Sequence, residues 1–221
     1  MTRKLLVFLL VLTMLVSSTT SVFALDFDDV KGHWAEKYID WVSDKGYLIG
    51  DDGLFRPNDK ITKAEVVAVM NRLMKTEETK KFSFTDVHKD SWYYQDIGKA
   101  IYSEIIDDGE IFMPQSNILR EDAMLIIARA YSLKFNEKAV KIFGDHLLIS
   151  EKGAIGALVD AKIVEGYEDG NVHPTRELSR AEFAKMIREI VDELGEPEVK
   201  EEQKEKADKK PAEESRSSGS S

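Results

Sequence analysis

The chain has 221 residues, no cysteine and a net charge of −10, with 41 acidic against 31 basic side chains. This composition excludes disulfides, thiol chemistry and thiolate metal sites, and an acidic surface repels nucleic acid. Any anionic ligand has to be held by a local cluster of bases working against the overall field.

The first residues run from a basic start, Arg3 and Lys4, through an apolar stretch from Leu5 to Val16 to a small-residue end at Ala24. Residues 1–24 have the pattern of a cleaved secretory leader, because the apolar stretch falls short of the roughly 20 residues that a membrane-spanning helix needs. No later stretch is long and apolar enough to span, so no membrane insertion is expected after cleavage.

The first unit, residues 25–76, opens with the helically periodic segment "HWAEKYIDWV", in which Trp34, Tyr38, Ile39, Trp41 and Val42 are apolar. The stretch "GDDGLFRPNDKITKAE" follows from residue 50: an Asp52-Gly53 turn, Pro57, then Lys63 and Glu65. Glycine supplies the positive φ that such a turn asks for. Thr62 and Glu65 form the Thr-x-x-Glu signature of a capping box, so a second helix starts here, with Val66, Val67, Val69, Met70 and Leu73 on its apolar face.

The second unit, residues 82–136, repeats the scheme with "SWYYQDIGKAIY", the pair Asp108-Gly109, Pro114, Arg120 and Asp122, then Leu125, Ile126 and Ile127. Leu119 stands at its cap position, so only the acid of the box remains. The third unit, residues 141–195, has "KGAIGALVDAKIV", Gly166-Tyr167, Asp169-Gly170, Pro174, Ser179, Arg180 and Glu182, then Phe183, Met186, Ile187, Ile190 and Val191. In all three units the base stands six residues after the proline and two before the acid, which fixes a tripled repeat. Residues 196–221, dense in charge and poor in apolar side chains, cannot offset chain entropy and read as a disordered tail.

One helix pair cannot bury its own apolar face, so the three units have to share a core. The expected fold is all-α: three helix-loop-helix repeats closed into a pseudo-threefold trimer, with the capped helices inside. Proline, cap and acid have structural roles here. The bases do not, since a cation in the first helical turn opposes the dipole. Three such bases, Lys63, Arg120 and Arg180, suggest ligand grooves in which an anion meets the cation together with free N–H groups of the helix start. Trp34 and Trp92 open their helices, where an indole can stack on a sugar ring; Trp41, seven residues after Trp34, reads as core. The four histidines, His33, His88, His146 and His173, are scattered, no nucleophile elbow or phosphate loop exists, and the Asp-Gly turns lack the ligand pattern of a calcium loop. No catalytic residue, metal or cofactor is expected.

These motifs resemble S-layer homology domains, whose pattern is F-x-D-V, an H-W-A helix opening, a G-Y-x-D-G-x-F-x-P loop and I-T-R-A-E. "FDDVKGHWAEKYI" and "DDGLFRPNDKITKAE" match nearly throughout, with Lys63 for arginine; the second unit keeps "FTDV", Trp92, "DDGEIF", Pro114 and "LRED"; the third has "FGDHLLISEK" where the tryptophan belongs. The resemblance implies a secreted, non-catalytic anchor on a bacterial cell surface that binds a wall polysaccharide, often pyruvylated, in grooves between repeats. By position the implied contacts are Lys63, Arg120, Arg180, Trp34 and Trp92. The turn residues Asp52, Gly53, Asp108, Gly109, Gly166, Tyr167, Asp169 and Gly170 join them. Surface-layer or other envelope proteins are the alternative partners, with the chain then acting as a protein–protein module.

Overall fold

A computed structural model describes residues 27–197. The leader and residues 198–221 of the expected tail lie outside them. Among the described residues the chain is all-α, with six helices: α1 (Glu36–Asp44), α2 (Lys63–Met74), α3 (Tyr94–Tyr102), α4 (Arg120–Ala130), α5 (Lys152–Asp160) and α6 (Arg180–Leu194). None is long and apolar enough to cross a membrane.

The capped helices start where their signatures stand. Thr62 accepts from the Glu65 amide at 3.2 Å while Glu65 accepts from the Thr62 amide at 2.8 Å, and Ser179 and Glu182 reproduce both bonds at 3.1 and 2.8 Å. At α4 Leu119 offers no acceptor and Asp122 makes no capping bond, contrary to its expected role. Its neighbour Glu121 points elsewhere: buried to 5% exposure, it accepts the Ser150 and Glu151 amides at 2.8 and 3.3 Å, just ahead of α5. Glu121 thus caps another helix, from another repeat.

Helix pairing also crosses repeat boundaries. The first helix of each repeat packs against the second helix of a neighbouring one: α3 on α2, α5 on α4, and α1 on α6. The sequence units are therefore not the packing units. The last of these contacts joins the first helix to the final one.

The segments before the capped helices are joined in the same sense. The Ile61 amide donates to the Leu178 carbonyl at 3.1 Å, the Leu178 amide to Ile118 at 3.3 Å, and the Ile118 amide to Ile61 at 3.0 Å. These three bonds form a closed ring around the fully buried side chains Ile61, Ile118 and Leu178. Around it, Phe55, Met70, Leu73, Met124, Ile127, Ile155 and Phe183 fill one shared core. A smaller cluster under α3 gathers Phe84, Val87, Tyr93, Ile97 and Ile101.

Each proline loop is clamped by the aspartate of its Phe-x-Asp start. Asp29 accepts the Phe55 and Arg56 amides at 3.0 and 2.7 Å, Asp86 those of Phe112 and Met113 at 2.9 and 2.7 Å, and Asp145 those of Val172 and His173 at 3.0 and 2.7 Å. The second amide of each pair belongs to the residue before the proline, which sits at positive φ: Arg56 at 57°, Met113 at 58° and His173 at 52°. A side chain there costs on the order of 1 kcal/mol, and the carboxylate fork offsets that cost. The chain is held at its other end too, where Glu196 accepts from the Tyr47 hydroxyl at 2.5 Å and from Lys75 at 2.7 Å. Glu196 and the buried Pro197, placed by sequence in the tail, belong to the folded body.

Candidate functional site

Among the described residues three grooves lie between repeats; two of them take an element from every repeat, and the third joins the first and second repeats alone. The largest, about 670 Å³, is lined by Trp34 of the first repeat, Arg120 of the second, and Gly166 and Tyr167 of the third. The next, about 430 Å³, has Trp92 of the second, Arg180 of the third, and Ile49 and Asp51 of the first. The smallest, about 170 Å³, holds Lys63 of the first repeat with Asp107 and Phe112 of the second. It has no tryptophan. Trp34 and Trp92 each stand two residues before a helix start, and that position in the third repeat is the exposed Ser150. In the two wider grooves the base of one repeat meets the turn of the next and the tryptophan of the one after; by that order Ser150 corresponds to the tryptophan of the Lys63 groove, although it is not among the residues that line it.

Trp34 and Trp92 are both 56% exposed, so neither is a core residue, and each lines its groove. Trp41 packs on the core and is covered by the Arg188 guanidinium at 4.5 Å.

The three bases differ in what they already hold. Arg180 is 4% exposed and consumed by the protein: Nε donates to the Phe55 carbonyl at 2.8 Å, Nη2 to Ile49 at 2.9 Å, and Nη1 pairs with Glu65. Arg120 forms no ion pair among the described residues. Its Nε is buried without a hydrogen-bond partner and its Nη1 reaches only the Met186 sulfur at 3.9 Å, with the Tyr167 ring centroid 5.0 Å from the guanidinium. Burial pushes the pKa of both arginines down, yet a guanidinium stays charged throughout the working range. A buried donor left without an acceptor is costly unless a ligand completes it. Lys63 is half-buried and forms no ion pair among the described residues; it faces Asp122, whose carboxyl is pushed up by burial.

The helix starts do not offer the free N–H groups expected from sequence. Lys63 and Ala64 amides donate to the Ser116 and Pro114 carbonyls at 3.0 Å each. Those of Arg120 and Glu121 donate to Arg176 and Pro174 at 2.9 and 3.0 Å, and those of Arg180 and Ala181 to Asp59 and Pro57 at 2.9 and 3.0 Å. The amides that would greet an anion build the junctions instead, so the side-chain cation acts alone.

With this geometry in view, the comparisons with known proteins are decisive. A family model for the S-layer homology domain matches residues 26–67, 83–124 and 149–184. The chain belongs to the S-layer homology domain family. Among its relatives, an amylopullulanase of Thermoanaerobacterium thermosulfurigenes is 30% identical over 76% of this chain and 10% of its own length. S-layer protein EA1 of Bacillus anthracis is 29% identical over 78% of this chain and 21% of its own. A cellulosome-anchoring protein of Acetivibrio thermocellus is 41% identical over 33% and 17%. The chain therefore spans a fifth or less, to rounding, of the length of the relatives it matches.

The turn residues of this S-layer homology chain divide into two sets. Gly166 and Tyr167 line the largest groove. A Cβ on Gly166, at φ 82°, would come within 2.8 Å of the Phe143 ring. Asp52, Gly53, Asp108, Gly109, Asp169 and Gly170 are not among the lining residues of the three grooves. Asp52 and Gly53 form a left-handed turn at φ 50° and 75°. Asp108 accepts from the Ser83 and Gly109 amides at 2.7 and 2.9 Å. Asp169 accepts from the Asn171 amide at 3.0 Å and pairs with His173 at 2.8 Å. Arg176, which sequence reasoning passed over, pairs with Glu182 and donates to the Tyr167 hydroxyl. Its only signal was a base two residues after a motif proline.

Proposed function

We propose that this chain is a non-covalent anchor of the bacterial cell surface that binds an acidic wall polysaccharide, of the pyruvate-ketal kind, in its inter-repeat grooves. The groove of Arg120 is the principal site. The observation that carries this reading is the half-buried Arg120 guanidinium, which lines the widest of the three grooves with a buried, unpaired Nε and no carboxylate partner among the described residues, together with the exposed Trp34 in the same lining. A compact carboxylate on a sugar ring satisfies both features at once: the anion takes the cation and the ring stacks on the indole. The surface-layer and anchoring relatives support the location. With a net charge of −10 the chain gains nothing from long-range attraction to an anionic polymer. Binding then depends on individual bases.

The test is co-sedimentation of the protein lacking its leader with protein-free cell walls, before and after mild acid that strips ketals and acid-labile wall polymers. Binding that is lost on stripping supports the glycan reading. A protein partner is the second reading, favoured by the exposed Ile142, Leu147 and Leu148 of the third repeat, 65%, 78% and 65% exposed. Failure to sediment with intact walls would select it.

A further inference from the structure

We infer that Arg176 is a positioning residue for the anion site: it holds the capping-box glutamate Glu182 away from Arg120 and so keeps that guanidinium open. This rests on the proposed glycan reading and identifies what makes one groove competent. The three junctions are built alike. The backbone carbonyls of Asp59, Ser116 and Arg176 accept the amides of Arg180, Lys63 and Arg120 respectively, so these three residues occupy one equivalent position. Each base also faces the capping acid of the next helix around the ring, Arg180 facing Glu65, Lys63 facing Asp122 and Arg120 facing Glu182.

Where the equivalent position is Asp59, nothing competes for the acid, and Glu65 closes on Arg180. Where it is Arg176, a second cation takes Glu182, with Glu182 Oε1 on the Arg176 Nη2 and Glu182 Oε2 retained by the Ser179 amide at 2.8 Å. Both carboxylate oxygens are thereby committed, and Arg120 is left to Tyr167 and Met186. The Tyr167 ring is shared by the two guanidinium groups, its centroid 5.0 Å from Arg120 and 4.9 Å from Arg176, while its hydroxyl accepts from Arg176. The hydroxyl and Glu182 Oε1 share one nitrogen of Arg176, Nη2, so the tyrosine helps fix Arg176 toward the glutamate. The groove thus has a built-in choice: an internal carboxylate neutralises Arg180, whereas Arg120 awaits an external one.

The experiment is titration of a pyruvate-ketal methyl glycoside, with the unketalated glycoside as control, into the protein spanning residues 25–221 and three variants. Arg176→Ala frees Glu182 to occupy Arg120, and affinity is expected to fall at least about tenfold, the scale of one charge-assisted hydrogen bond. Glu182→Gln keeps the capping box, which accepts glutamine, and leaves affinity near wild type. The double variant Arg176→Ala/Glu182→Gln restores binding, because the competing carboxylate is gone. A merely structural Arg176 would not be rescued by removing its own partner. Undiminished binding by Arg176→Ala overturns the inference while leaving the anion site standing. Loss in both Arg176→Ala and the double variant also overturns it, showing that Arg176 touches the ligand itself. Absence of ketal-dependent binding in wild type overturns the glycan reading together with this one.

Discussion

Arg180 and Glu65, 115 residues apart in sequence, form an ion pair that ties the third repeat to the first. The equivalent arginine at the next junction, Arg120, has no such pair. The same motif residue therefore does two jobs, and alanine substitution separates them. Arg180→Ala leaves the Phe55 and Ile49 carbonyls and Glu65 without their donor, and is expected to lower unfolding free energy by about 3 kcal/mol. Arg120→Ala removes a cation that holds no carboxylate, so its urea midpoint should stay near wild type while wall binding falls at least about tenfold. Urea unfolding beside co-sedimentation checks both; removal of lysines from residues 198–221 should change neither. Equal binding losses from the tail lysines and from Arg120 would sink the groove assignment.

The tryptophans predict a matching asymmetry. Both are 56% exposed, so substitution by alanine should leave thermal stability within about 0.5 kcal/mol of wild type. Trp34 shares its groove with the open Arg120 and Trp92 shares its groove with the committed Arg180. Trp34→Ala is expected to weaken wall binding several-fold, and Trp92→Ala to weaken it less. Wall-binding isotherms decide the order, and the reverse order would place the principal site in the wrong groove.

The aspartate clamps predict an acid sensitivity. Partial burial pushes the Asp86 carboxyl up, but the amides of Phe112 and Met113 outweigh it and hold the group below the usual carboxylate range. A folded-state pKa below the unfolded value of about 3.9 gives stability that is present above that value. It is lost as pH falls from there through the folded pKa. Asp86→Asn, which keeps one acceptor and loses the charge, should be less stable at neutral pH and should lose less stability between roughly pH 5 and 3 than wild type. Urea midpoints across that range measure it; parallel pH profiles would show that the clamp carries no charge-dependent stability.

Local signals were legible in the sequence where the deciding physics is local. Thr62-x-x-Glu65 and Ser179-x-x-Glu182 announce capping boxes because a box closes within four residues, and both close. Leu119 announced the absence of one. Trp34, Tyr167 and the three bases could be named from the repeat, but not assigned to grooves, because each groove is built from more than one repeat and the register between them is set by backbone bonds such as Ile118 to Ile61. The same bonds consume the helix-start amides, so the expectation of free N–H groups failed for a reason invisible within one repeat. Arg176 meets Glu182 six residues further on, within its own repeat, but its bearing on Arg120, like the reach of Glu121 to the Ser150 amide, arises only across repeats.

The smallest groove offers the strongest constructive test of this division of labour. It holds a base without a bidentate fork, Lys63, and by the order of the other two grooves its tryptophan position corresponds to Ser150. Lysine offers a point charge where arginine offers two parallel donors, and serine offers no stacking face. Its acid, Asp122, makes no capping bond and, among the described residues, no ion pair with Lys63, whereas Glu65 closes on Arg180. Lys63→Arg together with Ser150→Trp should therefore add a second wall-binding site, raising the amount of polysaccharide bound per protein at saturation without moving the affinity of the first. Ser150→Trp keeps the backbone amide that Glu121 accepts, so α5 should remain capped. Equilibrium stoichiometry, in an Arg120→Ala background that silences the largest groove, reads the gain directly. Unchanged, negligible binding there would mean that groove competence depends on more than the base, the ring and the fate of the facing carboxylate.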